Sequence, residues 1–399
     1  MGYFSHMETL PPDSVFELMW AFKKDPRPNK VDLSVGIYYN ERLELEILQT
    51  VKKAEEALLQ LEGEKAYLPI DGNACFIEET KKLLFGETLT LQLGGRLYGA
   101  QTVGGTAALR VGAEFLGKVF SGTIHVSDPT WANHPAIFAK AGFVAAPYPY
   151  YCKETHRVQV DKMLAYLEKL PPKSIVLLHG CCHNPTGCDL TQEQWKKVSS
   201  LMLKHKLIPF FDMAYQGFGE GLEEDAFAVR YFAEQGHEMF VSFSYAKIFG
   251  LYAERVGALL FLASDTKEAE IAATHIRALI RANYSNPPKH GAAVVAYVLS
   301  NPILQKLWRV ELDNMRRRIM DMKELVYDIL KEKVSSKNFN YLCDTKGMFC
   351  FTGLNTMQVE RLIEEFGIYL LKTGRINVTG LNENNCSYVG EAIAKVCKG

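Results

Sequence analysis

At 399 residues the chain is long enough for two or three domains or for one large core. Its 45 Lys and Arg against 46 Asp and Glu leave a formal net charge of -1, so no basic excess is available to neutralise nucleic-acid phosphates. Hydrophobic residues at 48% fit a folded domain and exclude long disorder, and nine cysteines without framework spacing read as reduced thiols of a cytoplasmic protein.

Taken in chain order, residues 1–20 carry acids at Glu8, Asp13 and Glu17 and no basic stretch ahead of an apolar one, so no secretory signal is expected. Arg42–Ile47 (R-L-E-L-E-I) alternates charged and apolar residues, which predicts a half-exposed strand. Gly104-Gly105-Thr106 directly precedes a helical pattern over Ala107–Leu116 that Gly117 would end. Glycines before a helix N-terminus make a plausible phosphate seat, although the string is neither a dinucleotide nor a P-loop fingerprint; a tight turn capped by Thr106 is the plainer reading.

Ser174–His179 (SIVLLH) reads as a strand, and Thr191 with Gln194 forms a capping-box signal for a helix to about Lys204. Leu207–Phe211, Met239–Phe243 and Val256–Phe261 are further apolar strands. Such strands between helices imply a parallel sheet covered on both faces, and the longest apolar runs, such as Val256–Ala263, are too short to cross a bilayer. Leu312, Met315, Ile319, Met322, Val326 and Ile329 recur at spacings of three and four, predicting one amphipathic helix from about Val310 to Lys333. It would act as a spine joining an α/β core to a smaller domain built from both chain ends.

Ligands of doubly wound sheets bind at the carboxyl ends of the strands. Behind the predicted strands stand Asn184, then Asp212 and Tyr215, then Ser244 and Lys247, with Arg255 just ahead of Val256. A lysine in the apolar setting SYAKIFGLYAERVG, with a second cation nearby, would have a lowered pKa and could form a Schiff base with an aldehyde. Lysine, phosphate seat and carboxylate together are what pyridoxal phosphate requires. Cys181-Cys182-His183 lacks the partner spacing of a metal site; buried thiols, and no metal, are expected there.

The strings HGCCHNPTG, FDMAYQGF, SYAKIFGLYAERVG, RANYSNPP, GMFCF and TGRINV occur in this order, and with them the chain resembles the class I, fold-type-I pyridoxal-phosphate aminotransferases of the aspartate/aromatic subgroup from about Val31 onward. The resemblance implies a mostly parallel seven-stranded sheet in a large domain, 46–314, and a small domain from 1–45 and 315–399. It implies that Lys247 holds the cofactor and shuttles the substrate proton, that Asp212 keeps the pyridine nitrogen protonated, and that Tyr215 and Asn184 bond the ring's phenolic oxygen. Gly105, Thr106, Ser244 and Arg255 would hold the phosphate, and Trp131 would stack on the ring with His134 and His183 near it. Arg375 would bind the substrate α-carboxylate, and Gly36 would lie in the segment closing over substrate. Arg281, Tyr67 and Asn286 would serve the neighbouring subunit's site, making a homodimer a requirement.

Ala246 and Ile248 depart from the serine and asparagine usual beside the lysine in aspartate-specific members, and Lys-Ile-Phe looks more like the aromatic branch. The expected activity is transamination of L-aspartate and aromatic L-amino acids with 2-oxoglutarate; a strictly aspartate-specific enzyme is the alternative.

Overall fold

A computed structural model describes residues 2–10, 12–61, 63–334 and 338–398. Its strands, in chain order, are β1 (Val31–Asp32), β2 (Leu97–Val103), β3 (Gly122–Asp128), β4 (Phe143–Pro149), β5 (Tyr151–Cys152), β6 (Arg157–Val158) and β7 (Ile175–His179). They continue as β8 (Ile208–Met213), β9 (Met239–Ser244), β10 (Val256–Leu262), β11 (Phe349–Phe351), β12 (Ile368–Tyr369) and β13 (Arg375–Asn377). Seven form one sheet in the order β2-β10-β9-β8-β7-β3-β4. All five residues of β7, all six of β9 and all seven of β10 are buried, so both sheet faces are covered.

The sheet is parallel from β9 to β4, whereas β10 runs antiparallel to both β9 and β2. Val256–Phe261 is therefore a strand as expected but not a parallel one. No helix lies between β9 and β10, only the loop 245–255, and a parallel neighbour needs a crossover. Between β7 and β3 the strand order reverses, which opens a crevice at the carboxyl end of the sheet. The helix Gly104–Leu116 packs closely on the sheet because Gly112 has no side chain: a Cβ there would stand 2.7 Å from the Phe210 ring.

The long helix runs over Pro302–Lys333, beginning eight residues before the expected Val310. Its start is set by Asn301, whose side chain accepts from the amides of Ile303 (3.0 Å) and Leu304 (3.2 Å), with Pro302 at the first helical position. The buried stripe accordingly extends back to Leu304 and Trp308. Trp308 is fully buried, stacks on Phe249 at 4.6 Å and donates its indole N–H to the Ile248 carbonyl at 2.9 Å. Trp308→Ala is expected to cost about 3–5 kcal/mol by cavity formation. Urea unfolding checks it; a loss below about 1 kcal/mol would mean that this contact supports neither the core nor the loop after Lys247.

The two chain ends meet: β1 pairs in parallel with β12, and β11 pairs antiparallel with β13, placing Phe351 opposite Arg375. The strand expected over Arg42–Ile47 does not form. Asn40 accepts from the amides of Arg42 (2.9 Å) and Glu44 (3.0 Å), and Leu43 has φ +61°, so a side-chain-closed turn overrides the alternating pattern. The capping box at Thr191 and Gln194 is present and opens the helix Gln192–Lys204.

Candidate active site

At the end of β2 the chain turns into the helix at Gly104 (φ +72°), where a Cβ would stand 2.6 Å from the Arg255 guanidinium. A Cβ on Gly105 would meet the Ser244 Cβ at 3.2 Å, and the Ser242 hydroxyl donates to the Gly105 carbonyl at 3.0 Å. Gly104, Gly105, Ser244 and Arg255 thus converge on one helix N-terminus. No side chain caps that helix, whose cap position is Val103, so the reading of a turn capped by Thr106 fails. Uncapped amides beside a guanidinium favour an anion there. The Gly104-Gly105 turn thus stands where the sequence places a phosphate seat.

Next to this cradle Lys247 is half-buried, its amine 5.2 Å from the centre of the Tyr215 ring. Burial lowers its pKa, the Arg255 charge adds to that, and Asp212 pulls the other way. Asp212 faces the opposite balance. Burial alone would raise its pKa, yet the hydrogen bond from His134, with the nearby Lys247, holds it below the ordinary carboxylate value. An ionised carboxylate and a readily deprotonated amine are therefore built into one buried crevice.

The hydrogen-bond pattern around Asp212 has a direction. The Asn184 amide can only donate, and it points to His179 Nδ1 at 3.4 Å, leaving the ring proton on Nε2. His179 Nε2 lies 3.3 Å from the Thr130 hydroxyl, which lies 2.7 Å from His134 Nδ1; His134 Nε2 then donates to Asp212 at 3.1 Å. Each donor points toward the carboxylate. Thr130 has no motif of its own in the sequence; its one signal is its place two residues after the end of β3.

His179 is pushed down to about 3, mainly by burial with His134 adding to it, and burial holds His183 well below its ordinary value. Both rings are neutral in the folded chain but protonate near pH 6.5 when unfolded. Their folded pKa values are depressed, so the stability they contribute is complete above pH 6.5 and is lost as the pH falls below it, for His179 toward about 3. Each ring should weaken the fold by about 1.4 kcal/mol per pH unit across that window. Urea unfolding between pH 7 and pH 4 measures it, and equal stability at pH 7 and pH 5 would contradict it.

Arg375 is buried, donates to the Ser34 carbonyl and lies against the Phe349 ring, 4.3 Å from its centre. Phe349 also meets Tyr215 edge-on at 6.0 Å, and a Cβ on Gly36 would touch its ring at 3.2 Å. Gly36, Tyr215 and Arg375 are therefore assembled around Phe349, whose role is not evident from the GMFCF string alone. The Asn184 side-chain oxygen and Arg375 Nε are buried without a hydrogen-bond partner. Such orphans inside a cleft are groups that answer to a ligand.

Trp131 is half-buried at the crevice, edge-on to His134 at 5.2 Å. His183 stacks on Tyr150 at 4.2 Å and bonds Ser127 at 2.8 Å. Tyr67 and Arg281 do not join this cluster within the chain. Tyr67 is 91% exposed, and Arg281 is exposed and held by the Ser285 hydroxyl. Asn286 donates to the Leu68 carbonyl at 3.1 Å, so the Tyr67 segment and the end of the helix Thr266–Asn283 share one outer face. Cys181 and Cys182 do lie within 4.8 Å of the Asp225 carboxylate. That carboxylate, however, accepts from the amides of Gly217, Gly219 and Glu220, the hydrogen bond to Cys182 and then burial raise the Cys181 thiol pKa, and burial raises that of Cys182, so the group reads as a closed structural knot.

A half-buried lysine and an ionised carboxylate beside an anion cradle, at the switch point of an open α/β sheet, define a cofactor-dependent enzyme. The chain belongs to the class I and II aminotransferases, whose family model matches residues 28–393. It is 46% identical to the aromatic-amino-acid aminotransferase of Escherichia coli over 395 residues, covering 98% of this chain and all of the relative. It is 45% identical over 397 residues to an aspartate aminotransferase of Pseudomonas aeruginosa, covering 99% and 100%. The crystal structure of the Burkholderia pseudomallei aromatic-amino-acid aminotransferase, covalently bound to pyridoxal phosphate, superimposes with a TM-score of 0.97 at 45% identity, covering 99% of this chain and all of that one.

Proposed function

We propose that the protein is a pyridoxal-phosphate-dependent aminotransferase that exchanges amino groups between 2-oxoglutarate/glutamate and L-aspartate or aromatic L-amino acids. The amine of Lys247, under the opposed charges of Asp212 and Arg255, carries this reading. The residues fit the cofactor: the Gly104–Gly105 turn with Ser244 and Arg255 suits its phosphate, Asp212 its pyridine nitrogen, and the side-chain NH2 of Asn184 with the Tyr215 hydroxyl its phenolic oxygen. Bound there, pyridoxal phosphate supplies an aldehyde for the amino group and a conjugated ring that takes up the electron pair of the Cα–H bond.

The protein's own share of the chemistry follows from its geometry. Arg375 pairs with the α-carboxylate through two parallel N–H groups and fixes the substrate's Cα–H toward Lys247. Neutral Lys247 Nζ would take the proton from the substrate Cα and return it two atoms away, across the amino nitrogen. Asp212, ionised and oriented by His134, holds a proton on the ring nitrogen. The Phe349 ring and the chain from Ser34 to Tyr38 keep water from the α-carboxylate pair. Burial lowers the pKa of Arg375 to about 10, which leaves it charged at neutral pH.

Arg281, exposed and held by one serine hydroxyl, is free to turn toward a side-chain carboxylate or away from an aromatic ring. With Tyr67 and Asn286 it forms an outer face suited to the site of a second copy, and a homodimer follows from this reading. Residues 46–314 would form the large cofactor-binding domain, with 1–45 and 315–399 as the smaller domain. Nine free cysteines suit a reducing, cytoplasmic setting. Steady-state kinetics with 2-oxoglutarate test the substrate range. Values of kcat/KM for aspartate and tyrosine within about 100-fold are expected; a gap beyond about 10⁴-fold would favour the strictly aspartate-specific enzyme.

A further inference from the structure

The segment 34–39 hangs almost entirely on the strand-and-turn 375–379. Arg375 donates to the Ser34 carbonyl, Asn377 Nδ2 donates to the carbonyls of Val35 (2.6 Å) and Ile37 (2.7 Å), and the Thr379 hydroxyl donates to Ile37 at 3.0 Å. The Tyr39 amide points to Thr379 Oγ1 at 3.3 Å. The amide of Tyr38 turns the other way. It donates to the hydroxyl of Tyr252 at 2.8 Å, and among the described residues this is the hydrogen bond that ties 34–39 to the loop carrying Lys247.

Tyr252 is placed to feel both sides. It stands five residues after Lys247, and its carbonyl accepts from Arg255 Nη1 at 3.0 Å, so its backbone belongs to the anion cradle. Its side chain reaches out of that cradle to the segment that holds Arg375 through Ser34. The Tyr38 ring reinforces the junction, 6.2 Å from Phe218 and under the Arg318 guanidinium at 5.7 Å.

We propose that Tyr252 is a positioning residue: its hydroxyl latches Tyr38 and thereby fixes the 34–39 segment, and Arg375 with it, over a bound amino acid or oxo acid. The proposal rests on Arg375 as the α-carboxylate anchor. The latch touches neither the amine of Lys247 nor Asp212, so it acts on binding and leaves the proton transfer alone. Every substrate, amino acid or oxo acid, presents the same α-carboxylate, and the latch bears on all of them equally. Burial also raises the Tyr252 pKa, which keeps the hydroxyl protonated and its effect constant over the working pH range.

The test is Tyr252→Phe in the holoenzyme, which removes the one oxygen and leaves the ring. KM for L-aspartate and for 2-oxoglutarate should both rise about 5- to 20-fold while kcat stays within about 2-fold. Amide hydrogen exchange at Tyr38, followed in the presence of the dicarboxylate maleate, should quicken by a similar factor. Unchanged KM values, or a fall in kcat with KM unmoved, would overturn the latch. If the variant does not fold, the unaltered holoenzyme decides: maleate should slow exchange at Tyr38 at least about 10-fold, and no slowing overturns the proposal. Arg375→Lys is measured alongside. A raised KM there with an unaltered KM in Tyr252→Phe refutes the latch alone, and unaltered KM values in both refute the anchor itself.

Discussion

Lys247→Ala is expected to abolish transamination, lowering kcat by more than about 10⁴-fold, with the fold intact. The side chain lies in a crevice where burial and the Arg255 charge disfavour its protonated form, which suits it to act as the base. Truncation to alanine also removes an amine whose burial disfavours its charged form, so stability should hold or rise slightly. Initial rates with aspartate and 2-oxoglutarate, with a far-ultraviolet spectrum as the fold control, measure the two effects together. Turnover within 10-fold of the unaltered enzyme would remove Lys247 from the chemistry. A free amine added to the solution, such as methylamine, should restore part of the lost rate, because what is missing is a proton carrier at one place.

Asp212→Asn should be nearly as damaging, with kcat reduced by at least about 10³-fold. Shape is kept, and charge is not. The chain of donors from His179 through Thr130 and His134 ends on a carboxylate that accepts and never donates. An asparagine would either face His134 Nε2 with a second donor or leave the cofactor's ring nitrogen without its counter-charge. Asp212→Glu retains charge and should recover part of the activity. The absorbance and pH profile of the bound cofactor separate this role from simple misfolding: a purely structural Asp212 would leave both unchanged in folded Asp212→Asn. His134→Asn should cost less, about 10- to 100-fold, because it disturbs the orientation of the carboxylate but not its charge.

The parts of this site that could be read from sequence share one property: they are short strings whose meaning is local. Asp212 lies at the end of a strand, and Tyr215, Lys247 and Asn184 stand two to five residues beyond one, so the apolar runs alone place them on one rim. The capping box at Thr191 was legible for the same reason. What could not be read depends on residues far apart in the chain. Phe349 gains its place between Arg375 and Tyr215 only through the pairing of β11 with β13, and Ser34 meets Arg375 across 341 positions. Tyr252 reaches Tyr38 across 214.

The errors were of two physical kinds. Local polar chemistry defeated a pattern at Arg42–Ile47, where Asn40 closes a turn that alternation alone does not reveal. Connection length defeated the assumption that an apolar strand is a parallel one at β10, where the loop from Tyr245 to Arg255 is too short for a helical crossover. The early start of the long helix was in fact signalled, by Asn301-Pro302, and periodicity counted from Leu312 passed over it.

The central claim is that Lys247, Asp212 and the Gly104–Arg255 cradle hold pyridoxal phosphate for transamination of both acidic and aromatic amino acids. The most direct measurement is the visible absorption spectrum of the protein reconstituted with pyridoxal phosphate, followed on adding L-aspartate and, in a fresh sample, L-tyrosine. A pyridoxal-type band should appear and convert to the pyridoxamine type with either amino acid. No band after reconstitution, or a band that neither amino acid converts, would contradict it.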